Sequence, residues 1–190
     1  MEEIVKLLVR DVPNFPEDGV HFKDISPLLN DVSCCRYITN RIVKEIGYDP
    51  LFDIVLGLDA RGFIFGPQIA EKVNVGFGMI RKTGKLPPPY VEQGYDLEYK
   101  NGSSISLSSN IVKPGMRVHL HDDVLATGGT IEAAVKLVEK LGANVVSVSF
   151  VIELTSLNGI KKLENYSRNW CMRVQNPPPE DIKVFSLLKY

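Results

Sequence analysis

The chain has 190 residues, 44% of them hydrophobic, with a formal net charge of −1 and three cysteines. That length and apolar content suit one domain that buries its own core without disulfides or a structural metal. A near-neutral balance argues against a broad basic face for nucleic acid or an anionic membrane, so any bound anion must be met by local groups.

The opening "MEEIVKLLVRDV" is acidic and lacks a basic segment followed by an apolar one, and no apolar run approaches the roughly 18 residues that span a bilayer. Cys34, Cys35 and Cys171 are odd in number, and the adjacent pair cannot readily bridge, so reduced thiols and a cytoplasmic location are expected. Within residues 2–12, Ile4, Val5, Leu8 and Val12 lie near one helical face, which predicts a helix; "PNFPEDG" then breaks it into an irregular arm. A second helix is predicted over 33–47, with Ser33 as cap and Gly47 as stop.

Strands are then predicted at 52–59, 75–82, 116–123 and 144–154, alternating with helices at 62–74 and 130–142. Near-continuous apolar strands separated by helices predict an α/β fold with a parallel sheet covered on both faces. Ligands bind such sheets beyond the strands' carboxyl ends, and three of those ends are polar here: "GLDARG", "IRKTGK" and "HDDVLATGGT". Residues 82–102, with three consecutive prolines and little periodicity, read as a long functional loop and a candidate lid. Residues 164–181 form a second polar stretch ahead of a strand-like terminal "IKVFSLLKY".

The stretch "VHLHDDVLATGGT" carries the most chemistry. "ATGGT" runs into a predicted helix, so Ala126, Thr127, Gly128, Gly129 and Thr130 can turn backbone N–H groups and hydroxyls onto one phosphate. It is neither a P-loop nor a dinucleotide fingerprint, because the required lysine and glycine spacings are absent. Asp122 and Asp123 precede the loop, where carboxylates can accept from a diol or help position hydrated Mg²⁺. A sugar 5-phosphate supplies partners for both. A rival reading takes His119 and His121 with the acids as transition-metal ligands, but only His21 remains as a further histidine, and packing or supporting roles are the expectation for the pair.

This stretch resembles the phosphoribosyl-diphosphate motif of type I phosphoribosyltransferases. "FPEDGVHFKDISPLL", "GLDARGFIFGP", "IRKTGKLP", "YDLEY", "ELTSLNG" and "FSLL" are similar to the adenine-specific members. The resemblance implies a type I phosphoribosyltransferase fold: a central parallel sheet flanked by helices in a single domain over 1–190, with an N-terminal hood at about 12–30 and a flexible lid at about 82–102. It implies transfer of ribose 5-phosphate from phosphoribosyl diphosphate to N9 of adenine, giving AMP and diphosphate with Mg²⁺, in a homodimer, through a transition state cationic at the anomeric carbon.

By the same resemblance, Ala126 to Thr130 hold the 5-phosphate, and Asp122 and Asp123 the ribose. Asp59, Ala60, Arg61, Arg81, Lys82 and Lys85 serve the diphosphate, with Arg81 reaching the neighbouring subunit's site. His21, Phe22, Lys23, Arg61 and Leu125 form the adenine pocket. Glu98 is the general acid/base and Tyr99 orients the lid. Mg²⁺ is implied to bind mainly diphosphate and ribose oxygens and water.

The chain departs from its relatives at His21, usually aliphatic, at Lys23, commonly arginine, at Pro88, usually glycine, and at His119 and His121, usually apolar. The first two touch the base pocket, so transfer to another 6-substituted purine is the alternative reaction. Regulatory binding of purine or phosphoribosyl diphosphate without catalysis is the alternative from another class. A zinc-dependent hydrolase is a third.

Overall fold

The structure is a computed structural model describing residues 1–47, 52–95, 102–171 and 182–190, with backbone alone for 167–171. In chain order its elements are α1 (Glu2–Leu8), β1 (Arg10–Pro13), β2 (His21–Asp24), α2 (Ser26–Leu29), α3 (Val32–Ile46), β3 (Ile54–Leu58), α4 (Gly62–Lys72) and β4 (Gly76–Lys82). There follow β5 (Tyr90–Tyr95), β6 (Ser103–Ser108), β7 (Arg117–Leu125), α5 (Gly129–Lys140), β8 (Asn144–Glu153), α6 (Gly159–Cys171) and β9 (Lys183–Lys189). No described helix is long and apolar enough to cross a membrane.

Seven strands form one sheet in the order β5-β6-β4-β3-β7-β8-β9, and β1 pairs with β2 in a separate two-stranded ribbon. From β4 to β9 neighbouring strands run parallel, whereas β6 lies antiparallel to both β4 and β5. The sheet is therefore mostly parallel, with an antiparallel edge. Every residue of β3 is buried, which explains its unbroken apolar run: helices cover both faces. Ile131, Ala134 and Leu137 of α5 pack on one face, and Ile38 and Ile42 of α3 with Phe65 and Ile69 of α4 belong to the core on the other. Parallel pairing brings the carboxyl ends of β3, β4 and β7 to one edge.

Four expectations need correction. The first helix stops at Leu8, because Arg10 to Pro13 pair antiparallel with Asp24 to His21 and an Arg10–Asp24 ion pair of 2.8 Å ties the ribbon together. The irregular segment "PNFPEDG" is thus the link between the two strands of this ribbon. The cap of α3 is Asp31 rather than Ser33: its carboxylate accepts from the Ser33 and Cys34 N–H groups at 2.7 and 3.2 Å, and an anion suits the positive helix end better than a hydroxyl. The stop at Gly47 agrees with the sequence.

The supposed loop at 82–102 contains β5. Val91 and Tyr95 pack against the α5-side core, so six residues of edge strand are held by one face and by pairing with β6. The polar stretch from 164 begins inside α6, which continues to Cys171.

Candidate active site

β7 ends at Leu125, and the chain turns through Ala126 to Gly128 before α5 starts at Gly129. No side chain caps α5, so its first N–H groups are left facing outward with the positive end of the helix dipole. Gly128 adopts φ of 81°, and a Cβ there would lie 2.8 Å from the Gly159 carbonyl oxygen. Gly159 itself, absent from the sequence-based site, backs the loop: a Cβ on it would meet the Ala126 oxygen at 2.3 Å.

That approach is backbone to backbone, so it cannot be relieved by a rotamer change. Gly159→Ala is expected to push the loop at 126–130 outward and weaken binding of an anion there by about tenfold or more, given the steep cost of misplacing a binding group. Titration with inorganic phosphate checks this, and an unchanged affinity would count against Gly159 as the loop's support.

The acids stand at the mouth of this loop. Asp122 is half-buried and Asp123 buried, and the Asp123 N–H donates to Asp122 Oδ1 at 2.9 Å. Burial, and then the neighbouring Asp123 charge, push the Asp122 carboxyl well above its ordinary range. Asp123 is raised too, by burial, with the Arg61 guanidinium pulling the other way. Arg61 Nε lies 2.9 Å from Asp123 Oδ2, an ion pair in which the N–H is not aimed at the oxygen.

Across the cavity, β3 delivers Asp59, Ala60 and Arg61. The Asp59–Ala60 peptide bond is cis, and Asp59 Oδ2 accepts from Arg81 Nε at 3.1 Å and the Lys82 N–H at 3.4 Å. Arg61 also donates to the Lys23 carbonyl at 3.2 Å, and its guanidinium lies 4.7 Å from the centre of the Phe22 ring. A cavity of about 360 Å³ is enclosed by these groups, with His21, Phe22, Lys23, Asp59, Ala60, Arg61 and Lys82 on one side and Asp122 through Thr130 on the other. Its lining brings together the uncapped helix start at the loop, two adjacent acids and the aromatic ring of Phe22.

His119 and His121 take no part in that cavity. His119 Nδ1 meets Ser147 Oγ at 2.7 Å, and Ser149 Oγ bridges His119 Nε2 at 2.8 Å and His121 Nδ1 at 2.9 Å. The rings pack on Phe52 and Phe65, and burial holds both imidazoles neutral, with pKa values lowered to about 3. They are packing residues, as expected. The metal reading of the pair fails because three of the four ring nitrogens are committed to serines.

The phosphoribosyl transferase domain family matches residues 30–188. The chain belongs to the phosphoribosyltransferase family. Among solved structures, adenine phosphoribosyltransferase from Thermoanaerobacter pseudethanolicus is 38% identical with a TM-score of 0.86, and the match covers 100% of both chains. The Saccharomyces cerevisiae enzyme, complexed with an imino-altritol bisphosphate and adenine, is 32% identical over 98% of each chain with a TM-score of 0.82. The Trypanosoma brucei enzyme, in complex with AMP, pyrophosphate and ribose-5-phosphate, is 27% identical over 99% of this chain and 79% of its own, with a TM-score of 0.81.

Most residues that the family resemblance selected therefore share one cavity, Leu125 included. Arg81 is engaged with Asp59 outside the cavity lining, and Lys85 is exposed in the turn after β4. Glu98 and Tyr99 lie outside the described residues. Sequence reasoning missed Val20, Tyr95, Phe150 and Leu154 on the cavity wall, as well as Gly159. For Gly159 a local signal existed: Asn158 has φ of 54°, and "NG" between a strand and a helix marks a tight turn.

Proposed function

We propose that this protein transfers the 5-phosphoribosyl group of phosphoribosyl diphosphate to N9 of adenine, releasing diphosphate and forming AMP. The observation that carries this reading is one cavity whose lining combines a helix-end loop suited to an anion, two adjacent carboxylates and an aromatic face, groups that suit the phosphate, ribose and base of one nucleotide. The T. brucei and S. cerevisiae structures, with AMP and adenine in their respective complexes, agree with it.

The backbone of Ala126 to Thr130 binds the 5-phosphate. Asp122 and Asp123 accept from the ribose hydroxyls, and their charge favours the cation that develops at the anomeric carbon as diphosphate leaves. Ala60, Arg61 and Lys82 donate to the departing diphosphate, with Asp59 fixing the Arg81 side chain and the Lys82 backbone beside them. Phe22 offers its face to the purine, and the backbone around His21 and Lys23 reads the purine's polar edge. Glu98, carried on the lid with Tyr99, supplies proton transfer in this scheme, and Lys85 and Arg81 serve the diphosphate, Arg81 from a second subunit of a homodimer.

No group of three or more His, Cys, Asp or Glu side chains able to hold a metal occurs among the described residues. Two carboxylates beside a phosphate site fit Mg²⁺, a hard ion that takes one or two carboxylates and fills its shell with substrate oxygens and water. When bound, Mg²⁺ neutralises diphosphate charge, and Asp122 and Asp123 are the protein groups that would orient it. The near-neutral chain and the free thiols of Cys34 and Cys35 among the described residues suit the cytoplasm.

A purine panel with phosphoribosyl diphosphate and Mg²⁺ tests the assignment. Adenine is expected to be used fastest, with diphosphate released and activity lost to chelation and restored by Mg²⁺. Faster turnover of hypoxanthine or guanine would reassign the base. Tight binding without diphosphate release would favour a regulator, and restoration by zinc alone a hydrolase.

A further inference from the structure

The base end of the cavity has two walls that belong to different parts of the fold. One is β2, carrying Phe22 and Lys23, in a two-stranded ribbon that is not hydrogen-bonded into the main sheet. The other is Leu154, just beyond β8. A ribbon of two short strands is marginal alone, so its attachments to the body set where it stands. Behind these walls lies a second cavity of about 280 Å³, lined by His21, Lys23, Leu154, Leu157 and Tyr190 among others, so continuous apolar packing does not hold the walls at this point.

Tyr190 spans that gap. Its backbone is stitched to the Leu154 side: its N–H donates to the Glu153 carbonyl at 2.9 Å, and its carbonyl accepts from the Thr155 N–H at 2.8 Å and Thr155 Oγ1 at 2.7 Å. Its ring meets the hood side, with Lys23 Nζ 4.6 Å from the ring centre and the Lys6 ammonium at 5.3 Å. Lys23 Nζ is held from the other direction by Asp11 Oδ1 at 3.3 Å, and only 12% of its side chain is exposed. A largely desolvated ammonium on an aromatic face is the stronger form of this contact. The Lys23 carbonyl accepts from Arg61 at 3.2 Å, so the same residue also anchors the arginine that covers Phe22.

We propose that Tyr190 is a positioning residue for the purine slot, tying β2 to the Leu154 wall through the Lys23 ammonium and so setting the slot's width. The proposal rests on reading this end of the cavity as the base site. It acts on the base more than on the phosphoribosyl donor, because the Tyr190 ring bears on the hood through Lys23, whereas the loop at 126–130 and the acids follow from β7 and α5, which the Leu154 N–H meets at the Leu125 carbonyl without the ring.

Tyr190→Leu removes the ring face, Tyr190→Phe keeps it, and Lys23→Met keeps the stem without the charge. Tyr190→Leu is expected to raise the adenine KM by about tenfold while the donor KM and kcat stay within about twofold, Lys23→Met to raise the adenine KM at least as much, and Tyr190→Phe, which keeps the ring and loses only the exposed hydroxyl bond to the Lys6 carbonyl, to stay within about twofold of the parent. Hydrogen exchange of the amides at 20–24 should accelerate in Tyr190→Leu and not in Tyr190→Phe. Exchange tests the tie whichever purine the parent uses, whereas a parent that makes no AMP would overturn the functional reading alone. Parental exchange in Tyr190→Leu would overturn the proposal, as would equal increases in both KM values.

Discussion

Asp123→Asn is expected to lower kcat by about 10²-fold, the scale of losing one preorganised electrostatic partner of a transition state, while weakening AMP binding by less than about tenfold. Asparagine keeps the shape and one acceptor oxygen, so ground-state contacts to ribose hydroxyls largely survive. What disappears is the negative charge facing the developing cation. The same substitution should move the acid limb of the kcat/KM profile to lower pH. Asp122 is raised by burial and by the Asp123 charge, since a like charge disfavours ionisation. Removing that charge lowers the Asp122 pKa, so Asp122 stays ionised further into acid. Two adjacent acids titrate as a pair, and the profile reports the pair in the free enzyme. Losses of equal size in kcat and AMP affinity, or an acid limb that stays in place, would remove the charge-based role.

The parallel core was legible because its signal is strong and local. β3 is buried at every position and reads as an unbroken apolar run, and the α5 helix carries its apolar stripe for three turns after a glycine-rich entry. What the sequence hid depends on partners distant in the chain. Residues 10–13 continue a helical periodicity but pair with 21–24, and the ribbon's hydrogen bonds and the Arg10–Asp24 ion pair override it. β5 alternates exposure on an edge strand among prolines and glycines, which lowers its apolar content to that of a loop. Ser33 lost the cap to Asp31 because both are plausible caps and a two-residue shift separates them.

At the site, local chemistry in "HDDVLATGGT" was enough to infer a sugar-phosphate ligand, and the resemblance supplied the base and the leaving group. Neither could reveal that Arg61 joins the two halves, pairing with Asp123 while covering Phe22, because those contacts cross 62 and 39 positions of sequence by residue number. Leu154 was hidden for a similar reason, and the "NG" signal at Gly159 marked a turn without showing what the turn packs against. Their value lies in where the β8 to α6 turn packs against the phosphate loop and the hood, and nothing in their own residue type announces a ligand.

The buried histidines have a consequence for stability rather than for catalysis, and it is expected to be large. Folded, both imidazoles titrate at about 3; unfolded, they return to about 6.5. Their folded pKa values are depressed, so the full stability is present above pH 6.5 and is lost as pH falls from there toward 3, while the unfolded chain takes up protons that the folded one refuses. Each histidine then costs roughly 1 kcal/mol per pH unit, and the pair about twice that. Asp122 and Asp123 act in the opposite sense, because their raised pKa values let the folded state bind protons first as pH falls. A His119→Val/His121→Val variant keeps those acids, so the difference between variant and parent isolates the imidazoles. Urea unfolding at pH 7.0 and 5.0 should show the parent losing several kcal/mol relative to the variant, on the order set by that slope. Ser149→Ala, by contrast, should destabilise at every pH by about 2–5 kcal/mol, since one hydroxyl serves a nitrogen of each ring and its loss leaves both buried without a partner. Parallel pH dependence in parent and double variant would mean that the two rings are protonated in the folded protein, which the dry pocket between Phe52, Phe65 and the β8 serines is built to prevent.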